Sequence, residues 1–297
     1  MELRHLRYFV AVAETGSLTE AAQQRLYTSQ PSLSRQIRDL ESHVGVQLLS
    51  RSVRGVELTL AGKAFLDHAR LALMHVDAAV ETARRAAQPE RKTLAIGFQT
   101  GHEMNWLAPA MHLLHDELRD IQVTVSSDYS PDLAEALARG RLDLAFLRVE
   151  PDFDLEYCVV DREPLIVLMP NDHRLTARSS VRPQDLVGEI FIGGSNKAGV
   201  LRNVTEDYLR RSGLDIKLDH GVDNMAMAIS LVASTRGVAL MPEYAKNLLP
   251  PSVVSRPLEG EAPTIDIAVG YSKSNSSPIL EMFVSRLDDL VRLNQRP

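Results

Sequence analysis

Gln30, Ser34, Arg35 and Arg38 are separated mostly by three or four residues in a stretch with helical patterning, so they project together. These side chains can address phosphates and base edges: Arg suits guanine and Gln suits adenine. A second group of polar residues stands in three loops ahead of helices: Thr100, Gly101 and His102; Ser130; and Ser195 with Asn196. Hydroxyls together with the free N–H groups of helix N-termini suit a small carboxylate. Arg148, at the end of the run Leu142–Leu147, offers an opposite charge or a structural ion pair. The plainer reading is that Ser130 caps its helix and Gly193-Gly194 turns the chain.

Covalent and metal chemistry find little support. Cys158 is the single cysteine, which excludes a disulfide framework and a Cys-based zinc site. His112 and His115 could share a helix face, yet no third ligand accompanies them. Gly193-Gly194-Ser195 is not a nucleophile elbow, and no Gly-rich phosphate loop occurs. No catalytic residue, no metal and no cofactor are therefore expected.

The elements that would carry the first group follow from periodicity. Leu3, Leu6, Val10 and Ala13 predict an amphipathic helix ended by Gly16. Ser17-Leu18-Thr19-Glu20 is a capping box that opens a short second helix with Ala21, Ala22 and Leu26 inward. Thr28 or Ser29 caps a third, with Pro31 in its first turn, Leu33, Ile37, Leu40 and Val44 inward, and Gly45 as its stop. Residues 47–59 read as strand, turn and strand, a wing that would bring Arg51 or Arg54 to the DNA backbone or minor groove. Two short helices, a polar outer face and a wing together describe a winged helix-turn-helix. An ordinary helical domain with a solvated face is the alternative.

Charge sharpens this division. The chain of 297 residues carries a net charge of −6, which argues against a general nucleic-acid binder. Residues 1–92 nevertheless carry +3 and the remainder −9, with five arginines between positions 25 and 54. A weakly basic head on an acidic body suggests a local DNA contact.

Thr59 can cap a long helix reaching to about Ala87. Along it Leu66, Ala69, Leu73, Val76, Val80, Ala83 and Ala87 alternate by three and four, a heptad seam suited to a second copy of the same helix. Gln88 to Lys92 is a polar break and a hinge. Beyond it, strand and helix patterns alternate, which predicts an α/β body with a mostly parallel sheet. Its last helix spans residues 277–293. No apolar run approaches the ~18 residues of a membrane span, and the polar N-terminus lacks a signal peptide's core, so a cytoplasmic protein is expected.

The runs Met1-Glu2-Leu3-Arg4-His5-Leu6-Arg7-Tyr8-Phe9, Gly16-Ser17-Leu18-Thr19-Glu20-Ala21-Ala22, Ser29-Gln30-Pro31-Ser32-Leu33-Ser34-Arg35-Gln36-Ile37 and Leu58-Thr59-Leu60-Ala61-Gly62 resemble the LysR-type transcriptional regulators. Within that family the likeness leans toward regulators of aromatic-compound degradation. The segment between Ala22 and Ser29 is one residue longer than the common pattern.

The resemblance implies a winged helix-turn-helix over residues 1–58 and a linker and dimerisation helix over 59–88. It further implies an effector domain over 89–297, similar to two-lobed periplasmic binding proteins. Lobe I would comprise 89–162 and 268–297, and lobe II 163–267. DNA contacts fall on Ser29, Gln30, Pro31, Ser34, Arg35, Arg38, Arg51 and Arg54. Effector contacts fall on Thr100, Gly101, His102, Ser130, Arg148, Ser195, Asn196 and Asn224, the last opening a helix that faces the cleft. The implied partners are double-stranded operator DNA, a small organic acid and further copies of the chain, as homodimer or homotetramer, with RNA polymerase as a candidate. The other reading is a small-molecule-binding protein or an α/β enzyme with an unrelated helical head.

Overall fold

The computed structural model describes residues 1–52, 55–86, 92–117, 119–195 and 198–294. The chain forms two compact units, Met1–Ala87 and Gln88–Pro297.

In the first unit, α1 (Leu3–Thr15) ends where Gly16 takes φ +64° and its N–H bonds the Val12 carbonyl at 2.9 Å. The Ser17 hydroxyl accepts the Glu20 N–H at 3.3 Å and starts α2 (Leu18–Glu20). The helix then continues as a π turn, Ala21–Arg25, in which Leu26 N–H bonds Ala21 O at 3.0 Å. A π turn holds one residue more than an α turn. The next helix is α3 (Gln30–Val44). Ser29 stands at the N-cap of α3 without a side-chain cap bond. Strands β1 (Leu49–Ser52) and β2 (Gly55–Leu58) form the antiparallel wing, with Ser52 opposite Gly55. Leu6, Phe9, Leu33, Ile37, Leu40 and Leu48 form one buried core.

The seam helix α4 spans Leu60–Ala86. Its start is capped by Thr59, whose hydroxyl accepts the Gly62 N–H at 2.9 Å. Leu66 and Ala69 do not belong to a free seam, because they are buried in the core of their own unit, where neighbouring Phe65 meets Phe9 edge-on. The exposed stripe begins further along, and Val80 is 47% accessible. Ala87 and the hinge residues 88–91 lie outside the described residues.

The second unit is built on one nine-stranded sheet. Strands β3 (Lys92–Gln99), β4 (Ile121–Asp128) and β5 (Leu144–Leu147) are mutually parallel and form lobe I with α5 (Glu103–Leu113) and α6 (Ser130–Ala138). Strand β6 (Leu155–Pro170) leaves lobe I, pairing with β11 (Thr264–Ser272) over its first part and with β9 (Val238–Pro242) and β10 (Val253–Pro257) over its second. Lobe II adds β7 (Phe191–Gly194), α7 (Gly199–Arg211), β8 (His220–Val222) and α8 (Met225–Thr235).

Every pair made by β6 and β11 is antiparallel, so the sheet is mixed rather than mostly parallel. The C-terminal helical stretch is divided into α9 (Pro278–Ser285) and α10 (Leu287–Asn294). At the break, the Arg286 guanidinium donates to the Leu113 carbonyl at 3.1 Å. Separate apolar clusters serve the lobes: Phe98, Trp106, Phe146 and Phe283 belong to lobe I, and Val167, Leu240, Leu175 and Leu209 to lobe II.

Candidate functional site

On α3, Gln30, Pro31, Arg35 and Arg38 are exposed, as is Ser29 just before them. Neither Arg35 nor Arg38 forms an ion pair among the described residues, so both guanidinium groups stay available to an anionic partner. Arg25 differs, because it pairs with Glu14, which Arg70 also reaches at 3.0 Å. Ser34 is a correction: only 8% of it is accessible. Residues step by 100° around a helix, which sets Ser34 at the edge of the stripe formed by Leu33 and Ile37. Arg51 lies on β1, and Arg54 is outside the described residues.

In the second unit a cleft of about 680 Å³, solvent at its mouth included, opens between the lobes. Three helices begin on it. Ser130 and Pro131 open α6, Gly199 and Val200 open α7, and Asn224 precedes Met225 of α8. Among the described residues neither α6 nor α7 has a side-chain bond at its N-cap, and Pro131 leaves Ser130 and Asp132 to carry the N–H groups that open α6. Asn224 caps α8 through Oδ1, which accepts the Met227 N–H at 2.8 Å. Its Nδ2 donates across the cleft to the Tyr129 hydroxyl at 3.1 Å. Tyr244 makes a second crossing, donating to the Thr100 carbonyl at 3.2 Å. Burial pushes the Tyr244 phenol up to about 12, so it keeps that proton at neutral pH.

Thr100, Ser130, Arg148 and Asn224 line this cleft together. Ser130 does not cap α6, since Tyr129 is the N-cap residue. Instead the Ser130 hydroxyl donates to Gln99 Oε1 at 2.6 Å and accepts the Arg148 N–H at 2.8 Å. Gly101 lies behind the cleft wall. Its φ is +95°, a Cβ there would stand 2.7 Å from the Tyr244 ring, and its N–H is taken by Glu103 at 2.8 Å. Ser195 does not line the cleft, and its hydroxyl donates to Asp223. Asn196 lies outside the described residues.

His102 is fully buried behind the cleft rather than at its surface. Its Nε2 lies 3.1 Å from Glu163 Oε2. Arg148 reaches the same oxygen at 2.7 Å and donates to the Asp266 carbonyl at 2.8 Å. Arg148 is thus a structural ion pair rooted on the two strands that join the lobes. Burial holds the His102 ring below the usual histidine range, and the charge of Arg148 adds to this while Glu163 opposes it. Burial pushes Glu163 upward, but His102 and Arg148 outweigh it and keep the carboxyl ionised below its ordinary value.

Glu150, two residues beyond Arg148, also lines the cleft. Burial pushes its carboxyl up to about 7, with Asp152 adding repulsion. An acid whose folded pKa is raised stabilises the fold relatively below its unfolded value, near 4.5, and loses that advantage as pH rises through 7. Glu150→Gln is therefore expected to gain stability over wild type between pH 4.5 and 7, with the gain constant above. Paired melting curves across that range check this, and a flat difference would oppose it.

Glu150, Tyr129 and Tyr244 were not singled out by the sequence as ligand-facing residues. Only proximity to Arg148 at a strand's carboxyl end signalled Glu150. Among the described residues no group of three or more His, Cys, Asp or Glu side chains could hold a metal, and no helix is long and apolar enough to cross a membrane.

Comparison with known proteins covers both units. Residues 3–63 match the bacterial regulatory helix-turn-helix family of lysR type, and residues 87–292 match the LysR substrate binding domain. The chain is 35% identical over 288 residues to the Hca operon transcriptional activator HcaR of Escherichia coli, covering 96% of each protein. It is 33% identical over 256 residues to the transcriptional regulator BenM of Acinetobacter baylyi, covering 84% of this chain and 82% of BenM. Full-length CbnR, a LysR family regulator solved with its target DNA, superposes with a TM-score of 0.58 at 25% identity, covering 98% of this chain and all of CbnR.

Proposed function

We propose, from the premise that the chain belongs to the LysR family of DNA-binding transcriptional regulators, that a small organic acid bound between the lobes controls how this protein engages its operator. The observation that carries the ligand's chemistry is the convergence of the α6, α7 and α8 N-termini on one cleft. Helix N-termini favour anions, and two of these three lack side-chain caps. Arg148 is neutralised by Glu163, so the helix ends rather than the guanidinium provide the anion's contacts. The polar contacts would be Thr100, Asn224 and the first-turn N–H groups of α6 and α7. An aromatic acid agrees with the apolar lining of Pro131, Val200, Leu201 and Met225. A thermal-shift screen of small carboxylates tests the assignment, because a ligand present at about 100 Kd stabilises by about 2.7 kcal/mol. No shift from any carboxylate, with shifts from neutral or cationic compounds, would overturn it.

At the other end of the chain, α3 enters the major groove and presents Gln30, Arg35 and Arg38, with the wing following the backbone. Arg35→Ala is expected to weaken operator binding by about 1–3 kcal/mol and to relax preference at one base pair, whereas a pure phosphate contact would lower affinity for all sequences alike. Gel-shift titrations at matched salt separate these outcomes, and unchanged binding would remove Arg35 from the interface.

The stripe of α4 beyond Leu73 pairs with the same stripe of a second copy, giving a homodimer. Val76→Asp would bury like charges against each other and is expected to dissociate the assembly in sedimentation. An unchanged assembly would place the stripe elsewhere.

A further inference from the structure

The Glu150 carboxylate is an acceptor left open in the cleft. It makes no hydrogen bond or ion pair among the described residues; the bond from the Tyr157 hydroxyl, at 3.1 Å, goes to the Glu150 backbone carbonyl. Arg148, the cation two residues away, is already held by Glu163 and by the Ile265 and Asp266 carbonyls. None of its hydrogen bonds or ion pairs among the described residues goes to Glu150. A ligand that fills the cleft would strip water from this carboxylate. Leaving a buried polar group without a partner is costly, so the occupant should carry the missing donor.

We infer that Glu150 selects the effector by accepting a hydrogen bond from a hydroxyl on it, so that the ligand is a hydroxylated acid rather than a plain carboxylate. This rests on the organic-acid reading above and adds the second pole of recognition. The acid's own carboxylate and Glu150 repel, so the anionic end goes to the helix N-termini and the hydroxyl end to Glu150. Burial and Asp152 raise the Glu150 carboxyl to about 7, so the ionised acceptor predominates above that pH, where the titrations belong. Sites built to hydrogen-bond a hydroxyl discriminate against analogues that lack it, because the site's own group is then stranded.

The test is calorimetric titration of the full chain with two matched sets: benzoate against 3- and 4-hydroxybenzoate, and butanoate against 4-hydroxybutanoate. In wild type at least one hydroxylated probe is expected to bind about tenfold tighter or more than its parent. In Glu150→Met that ratio should fall to near one, and in Glu150→Gln, which keeps an acceptor oxygen, part of it should return. Binding of parent and hydroxylated acids with equal affinity to wild type, or a ratio unchanged in Glu150→Met, overturns the inference while leaving the organic-acid reading intact. If neutral or cationic compounds stabilise the protein and no carboxylate does, the organic-acid reading fails and this inference falls with it.

Discussion

Gly62→Ala is expected to unfold the N-terminal unit at temperatures where wild type is intact. A Cβ at position 62 would stand 1.9 Å from the Leu48 carbonyl oxygen and 2.9 Å from its carbon, inside any allowed contact. The neighbour cannot give way. Leu48 is fully buried, and the Leu48 and Leu49 N–H groups are held by the Glu41 carboxylate at 2.8 and 3.0 Å. The Thr59 hydroxyl grips the Gln47 carbonyl at 2.8 Å from the other side. To admit a methyl group, α4 must lift from the wing, and the Thr59 cap and the Leu66 packing go with it. A cost of about 3 kcal/mol or more follows from such overpacking against backbone. Gly199→Ala, where a Cβ meets nothing within 4 Å among the described residues, should leave stability unchanged. Circular-dichroism melting checks both, and wild-type stability of Gly62→Ala would show that the junction of wing and α4 is loose.

Arg148→Met carries the second large effect. It leaves Glu163 buried with only His102 as a partner, and breaking a buried ion pair from one side costs about 3–5 kcal/mol. The loss should depend on pH. In wild type the His102 pKa is lowered, so the fold loses stability as pH falls below about 6.5, where the unfolded ring takes up a proton and the folded ring resists. Without the Arg148 charge, His102 can protonate and pair with Glu163. The difference between variant and wild type should therefore be larger at pH 8 than at pH 5.5. Arg148→Met combined with Glu163→Leu removes both charges and should cost less than the single change. A double variant as unstable as the sum of the two single changes would show that packing, not charge, sets the cost.

The helices of the N-terminal unit were legible because they rest on local rules. Gly16, Ser17, Pro31 and Gly45 punctuate the helices whatever the rest of the chain does. The inward turn of Ser34 was not legible, because it depends on how broad the buried stripe of α3 is in the packed unit. The first half of β6 escaped for another reason. Glu156, Asp161 and Arg162 interrupt its apolar pattern, and its strand character comes from pairing with β11, more than a hundred residues away. Strand β10 is hidden in the same way by Ser255, Arg256 and Pro257.

For the cleft, the sequence showed which loops precede helices but not how hydroxyls and charges are used. Ser130 is directed to Gln99 and Arg148, and Arg148 to Glu163, by the register of β3, β5 and β6. With those side chains engaged, the proposed anion would be met by helix ends. They also leave Glu150, unremarkable in sequence, as the open polar group.

A ligand in the cleft is expected to change the DNA-binding behaviour of the α3 face. A ligand shifts states only through its differential affinity for them, and coupling of about 1–3 kcal/mol corresponds to a 5–150-fold change. The most direct measurement is binding of the full chain to an operator fragment selected from its own genome, followed by gel shift and footprinting with and without a saturating acid that raises Tm. A change in affinity of that size or a displaced footprint is expected, lost in a cleft variant that no longer binds the acid. An acid that occupies the cleft yet leaves operator affinity, footprint and transcription all unchanged would contradict that expectation.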